Sequence, residues 1–532
     1  MASSRRKLVG MRATDRNKRP STRLRRAALM TAGFLTVGVA VGACGSPSTP
    51  GVAAGSKTTT TGLLAYSSCV RTHGVPNFPD PTASDGGIPK VTPQQLGIGQ
   101  ARFVAAQKSC LHLLPTGESL GGGPSGPGVA TSSPTTAASP ASGPLLPTAD
   151  PFYRWSESLA HVAPGTILRT RTIAVSEAQG PSTPVKASQL LYVTTDELGR
   201  RTVSVVTVLQ PLNNAASTAT RLVSYQPAYD ALGAECDPSY TLQTGTEGES
   251  PLIMRYVAAG DIVVTADYEG EDLAYGAGQQ SGYETLDAIR AAEKWLDVPE
   301  ASTSVGMVGY SGGSIATEFA SELAHAYAPD LDIVGVAEGG VPVDLFHNLN
   351  YIDNPASGWT GQIPAFLDGL ARSFDIPDFK QYLTPQGIAA VDANQTRCVA
   401  DFVGLTTQQM FKPQYQDIEK VPVFARILDH LIMSRTGTPH GPLFIGVGLS
   451  DSIGDGVMVE KDVQELAYTY CHRGVPVEFQ TYNGLSHADA GLPFLEQAQP
   501  FLTQRLEDVP FQNGCSAIGP GNSIAPVPVP AS

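Results

Sequence analysis

The sequence predicts an α/β protein: a mostly parallel sheet with helices on both faces and a large helical insertion. Three observations carry that expectation. From residue 149 onward, short β-branched runs alternate with stretches whose apolar residues recur every three or four positions. A lone serine stands between glycines in "GYSGG", residues 309–313, where one such run meets one such stretch. About a hundred residues then separate the strand-like runs at 331–338 and 443–449, a length typical of a structured insertion.

The chain opens with residues 1–44, which hold ten Lys/Arg and one Asp. An uncharged run from Ala27 to Ala43 ends in small residues before Cys44. It is short for a membrane span and flanked as an export signal is. "VGAC" at 41–44 resembles the bacterial lipobox, which implies that Cys44 becomes a lipidated first residue after cleavage. An ordinary cleaved signal with an incidental cysteine is the other reading. Arg25 and Arg26 lack the rest of a twin-arginine pattern. Residues 45–62 read as a tether of Gly, Ser, Thr and Ala. Residues 63–117 read as a small module with Cys69 and Cys110 in short helical patterns, too small for a large core and closed by that cysteine pair. Its "CVRTHGVPNFPDP" resembles a segment of exported bacterial lipoproteins. His73 is read there as a structural or surface histidine. Residues 118–148, rich in Gly, Ser and Pro, form a linker, and residues 517–532 a flexible tail.

Within 149–516 the strands are expected at "RTVSVVTVLQP", "TRLVSYQP", "DIVVTADYEG", "TSVGMVGY", "LDIVGVAEGG", "PLFIGVGLSD" and "VPVEFQTYNG". Helices are expected over 283–296, with Leu286, Ile289, Ala292 and Leu296 on one stripe, and over 314–327, with Ile315, Phe319, Leu323 and Tyr327. The insertion, a cap over about 341–425, carries Trp359, Ile363, Phe366, Leu367, Leu370 and Phe374. These residues either line an apolar pocket or dock the cap on the core.

Charge narrows the function. The chain carries −14, and taking the +9 of residues 1–44 from it leaves −23 on the rest. So acidic a body is unsuited to nucleic acid or to anionic membranes through bulk charge. There is no HExxH and no Cys/His spacing for zinc, so neither metal nor cofactor is expected. Of seven cysteines, Cys44 goes to the lipid. Six remain, an even number that in an exported chain favours disulfides.

"GYSGG" fits G-x-S-x-G between a strand and a helix, the setting of a nucleophile elbow. Such a turn strains the serine backbone and needs small neighbours, hence Gly309 and Gly313. It presents Ser311 Oγ beside the N-terminus of the next helix, where the N–H of Gly312 faces a developing oxyanion. A serine hydroxyl needs a base. Six histidines follow: His325, His347, His430, His440, His472 and His487. His487, in the loop after a predicted strand, is where the base belongs in the order Ser, acid, His. Asp451, ending "LFIGVGL", is the favoured acid, with Asp455 as local competitor and Glu338 as a weaker option. The turn "DSIGD" departs from the D-x-x-V-P form common at this point. The second oxyanion donor is sought in "SYQPAYDALGAECDPSY".

The stretches "LVSYQPAYDALGAECDPSY", "VVTADYEG", "GYETLDAIRAAEKWL", "GYSGGSIATEFASELAHAYAPDLDIVGVAEGGVPVD" and "RGVPVEFQTYNGLSHADA" resemble the secretory lipase family over roughly 149–516. The resemblance implies an α/β-hydrolase fold with a helical cap and a Ser-Asp-His triad that maps onto Ser311, Asp451 and His487. It implies oxyanion donors at Asp230 and Gly312, and disulfides Cys236–Cys398 and Cys471–Cys515. It further implies an enzyme that cleaves lipid or other carboxylic esters, which the export signal and lipobox would place at the outer face of a membrane through Cys44, or in the medium if Cys44 is incidental. A tethered binding protein with a degenerate site, and an acyltransferase or peptidase on the same fold, remain the alternatives.

Overall fold

The computed structural model describes residues 66–72, 75–80, 110, 143–176, 184–212, 220–298, 303–376, 378–526 and 528–530. The export segment with Cys44, the tether, His73 and most of the linker lie outside the described residues. The chain divides into two units, residues 1–123 and 124–532.

In the first unit, residues 66–72 are helical and Tyr66, Val70, Val75 and Phe78 are buried. The Tyr66 and Phe78 rings meet edge to face at 6.1 Å. Arg71 donates to Phe78 O at 2.8 Å, and a disulfide joins Cys69 to Cys110.

The second unit is built on nine strands: β1 (Ile167–Ile173), β2 (Val185–Thr195), β3 (Arg201–Pro211), β4 (Thr220–Gln226), β5 (Ile262–Ala266), β6 (Thr303–Tyr310), β7 (Asp332–Gly339), β8 (Leu443–Leu449) and β9 (Val477–Asn483). Their order is β1-β2-β3-β5-β4-β6-β7-β8-β9. The pairs β1/β2, β2/β3 and β3/β5 are antiparallel, and every pair from β5 to β9 is parallel. The seven predicted strands are β3 to β9. β1 and β2 add an antiparallel edge that strand–helix alternation does not predict.

The central strands are buried on both faces because apolar residues occupy both phases of the pleat. In β6, Val305 and Met307 belong to one apolar cluster and Val308 and Tyr310 to another. The first cluster takes in α3 (Gly278–Leu296), α4 (Gly312–Tyr327) and α10 (Glu460–His472); the second takes in α1 (Pro238–Thr244), α2 (Ser250–Ala258) and α11 (His487–Leu506). Glycine lets α11 approach: Gly306 faces Leu502, and a Cβ at Gly339 would lie 2.7 Å from Phe494.

Between β7 and β8 the chain forms the cap: α5 (Leu345–Ile352), α6 (Gln362–Ser373), α7 (Pro385–Asn394), the short α8 (Thr407–Met410) and α9 (Pro422–His430). Most of the apolar stripe is core, with Ile363, Leu367 and Leu370 at 0–1% exposure. Disulfides join Cys236 to Cys398 and Cys471 to Cys515. These are the two pairs that the family resemblance implies. The first ties the loop after β4 to the cap, beside an isolated bridge between Ala231 and Cys398.

Candidate active site

The site forms at the carboxyl ends of the parallel strands, where the order β5-β4-β6 places consecutive connections on opposite sides of β4. Ser311 follows β6 and caps α4 at φ 55° and ψ −123°. That conformation costs a non-glycine residue about 1–3 kcal/mol and persists because its surroundings fix it. Ser311 N–H donates to Gly339 O at 2.9 Å. A Cβ at Gly309 would lie 2.2 Å from Gly313 O, and one at Gly313 would lie 2.0 Å from Gln226 O. Both glycines are therefore required by close backbone approach.

His487 is the first residue of α11, not a loop residue. Ser486 caps that helix, accepting from Asp489 N–H, and reciprocates through its own hydroxyl to the Asp489 carboxylate at 2.6 Å. The readable mark was the S-x-x-D spacing. Pro493 and Pro500, both inside the helix, obscure it. His487 is 3% exposed, and its Nε2 lies 2.7 Å from Ser311 Oγ. The Trp359 ring meets its imidazole edge to face at 5.5 Å, and Tyr310 OH donates to its carbonyl at 2.6 Å.

The acid beside His487 is Asp455, which corrects the expectation of Asp451. Asp455 Oδ2 lies 2.9 Å from His487 Nδ1, and Asp455 O accepts from His487 N–H at 2.8 Å. Its other oxygen accepts from the N–H groups of Val457 and Met458 at 2.9 and 2.7 Å. It is 1% exposed. Asp451 is exposed and opens the turn instead: its Oδ1 accepts from Ile453 and Gly454 N–H at 2.6 and 2.9 Å. The physical reason is that β8 ends at Leu449 and the chain makes a further turn before reaching the histidine. Val457 and Met458, the apolar pair two and three residues after Asp455, were the available clue. Glu338 lies fully buried beside Glu318. The other histidines have partners elsewhere: His347 with Asp462, His430 with Glu197, His472 with Tyr468 O, and His325 stacked on His440.

Asp230 sits in the loop after β4 at φ 36°. Its carboxyl fills the space over Gly312, where a Cβ would lie 1.4 Å from Asp230 Oδ1. Burial pushes this carboxyl up to about 7, against the pull of His487. The loop is held by Glu249 and Glu269, which accept from the N–H groups of Ala228 and Ala231. Gly312 N–H, in the first turn of α4, has no acceptor within the helix.

Beside Ser311 lies a small, mostly apolar cavity of about 60 Å³, lined by Ile315, Leu345, Leu349, Ile352, Trp359 and Phe366 among others. Trp359 and Phe366 are thus the residues of the apolar stripe that face the site. Among the described residues there is no cluster of three or more His, Cys, Asp or Glu able to hold a metal. The arrangement can polarise a hydroxyl, take up its proton and present apolar surface next to it.

A family model described as secretory lipase matches residues 236–514. Lipase A of Arthroderma benhamiae is 30% identical over 403 residues, covering 70% of this chain and 82% of that protein. The chain belongs to the secretory lipase family. Its class is that of carboxylic ester hydrolases. A probable inactive lipase of Mycobacterium tuberculosis is 32% identical over 354 residues, 63% of this chain and 77% of that one. The X-ray structure of Candida antarctica lipase A in its closed state matches with a TM-score of 0.64 and 26% identity, covering 74% of this chain and 93% of that chain. The family's α/β-hydrolase fold is therefore the fold of this chain.

Proposed function

We propose that this secretory lipase family member is an exported lipase that cleaves carboxylic esters through Ser311, His487 and Asp455. Ser311 Oγ attacks the ester carbonyl carbon while His487 Nε2 takes its proton. Asp455 holds the Nδ1 proton and stabilises the imidazolium. The N–H groups of Gly312 and Asp230 receive the oxyanion. The proton passes from His487 to the departing alkoxide, and the alcohol leaves an acyl-enzyme. Water, deprotonated by His487, releases the carboxylic acid and restores Ser311. Below neutral pH the raised Asp230 carboxyl is largely uncharged and does not repel the oxyanion. The observation that carries this reading is the buried chain of hydrogen bonds from Asp455 through His487 to Ser311.

A second reading, a member that retains the fold without turnover, is favoured by the Mycobacterium tuberculosis relative named as a probable inactive lipase. The two separate cleanly. A fluorophosphonate probe should label wild type and not Ser311→Ala, and Ser311→Ala should lower p-nitrophenyl ester hydrolysis by on the order of 10⁵ or more. An unlabelled wild type without hydrolysis would establish the second reading.

We further propose a lipid anchor at Cys44, because acylation there would bury many methylenes at about 0.8 kcal/mol each. Wild type should take up labelled palmitate and sediment with membranes, and Cys44→Ala should do neither. Unlabelled, soluble wild type would reject the anchor.

A further inference from the structure

Asp451 makes a contact that a spent surface carboxylate has no need of. Its Oδ2 accepts from Tyr351 OH at 2.8 Å, and Tyr351 belongs to the cap helix α5. The same hydroxyl oxygen accepts from Gly456 N–H at 3.0 Å. Asp451 Oδ1 already holds Gly454 N–H. The two residues on either side of Asp455 are thus each fixed through one Asp451–Tyr351 pair. One residue further on, Asn348 of α5 donates to Val457 O at 2.8 Å, while Val457 N–H donates to Asp455 Oδ1.

The turn around Asp455 is therefore shaped from the cap. Gly454 and Gly456 give it little conformational preference of its own. The helix that holds it also presents Leu345, Leu349 and Ile352 to the cavity beside Ser311. One element consequently meets both the apolar cavity beside Ser311 and the peptide on which Asp455 rides.

We propose that Tyr351 and Asp451 are positioning residues that make the alignment of Asp455 on His487 depend on the docking of cap helix α5. The proposal rests on the triad reading above. Tyr351→Phe keeps the ring and removes the hydroxyl that both bonds need. With a short soluble ester, kcat should fall about tenfold, equivalent to about 1.4 kcal/mol, with KM unchanged. The acid limb of kcat/KM should move to lower pH by about half a unit or more, because the imidazolium loses an aligned carboxylate. In an Asp455→Asn background, Tyr351→Phe should add no further loss, since nothing remains to position.

Wild-type kcat and an unmoved limb in Tyr351→Phe would overturn the proposal. An equal loss in both backgrounds would do the same, showing a general packing defect. If Tyr351→Phe does not fold, Asp451→Asn, an exposed substitution, faces the same criteria. The low-field proton resonance of His487 Nδ1–H gives a readout without turnover. It should broaden or shift in either variant, and an unchanged resonance rejects the proposal. Loss of fluorophosphonate labelling in wild type would instead count against the triad reading, so the two failures are distinguishable.

Discussion

Ser311 and Asp455 stand at the two ends of one hydrogen-bonded chain, yet they are held by different means. Ser311 is fixed by local sterics: a strand ends, a helix begins, and two glycines let backbone pass within contact of backbone. Asp455 sits in a turn whose residues Asp451 and Gly456 are hydrogen-bonded by Tyr351, from a helix about a hundred residues away in sequence. The first mode constrains residue types at the site itself. The second distributes the constraint over Tyr351, Asn348 and Asp451.

The sharpest way to break the comparison is to exchange the two aspartates' expected effects. Asp455→Asn should lower kcat by about 10⁴, as loss of a triad carboxylate does, and Asp451→Asn by about tenfold. Ester hydrolysis measured on both variants decides it, and a larger loss at 451 would return the acid to the earlier position.

A smaller effect tests the steric half. Gly313→Ala places a methyl 2.0 Å from Gln226 O, so backbone must shift. We expect a loss of about 3 kcal/mol or more in unfolding stability, read by denaturant titration, whereas Gly456→Ala, where a Cβ meets nothing within 4 Å, should cost less. Gly456 has φ 98°, so some strain remains there.

The smallest effect concerns the carboxyls packed behind the serine helix. Burial pushes Glu338 up to about 7 and Glu322 up to about 8, and raises Glu318 further from its ordinary value. An unfolded chain releases these protons from about pH 4.3 upward. The folded chain keeps them until about pH 7–8. Within that window the unfolded state binds fewer protons, so stability falls as pH rises. The Tm should drop by several degrees between pH 5 and pH 8, and Glu338→Gln should flatten the slope. A Tm that rises over this range would contradict the assignment.

The same contrast explains what was legible in the sequence. Strands β3 to β9 and helix α4 announce themselves because burial on both faces of a sheet demands continuous apolar runs. β1 does not: "ILRTRTI" alternates arginine and threonine on a half-exposed edge. Ser311 and His487 follow from chain order, and Gly312 from its place after the serine. Asp230 is visible through family likeness alone, because the role proposed for it falls to its main chain and imposes no side-chain type. The end of β8 at Leu449 points to Asp451, whereas the chain turns once more and brings Asp455 beside His487. In the cap, periodicity marked one stripe, and packing divided it between core and cavity.

The disulfide between Cys236 and Cys398 closes a span of 162 residues, from the loop after β4 to the cap. In chain-entropy terms a crosslink over so long a span constrains the unfolded state by about 5 kcal/mol. Its consequence for the working enzyme is mechanical. A cap joined covalently to the loop after β4 cannot part from it at that point, so the contact of Ala231 with Cys398 is kept whatever the rest of the cap does.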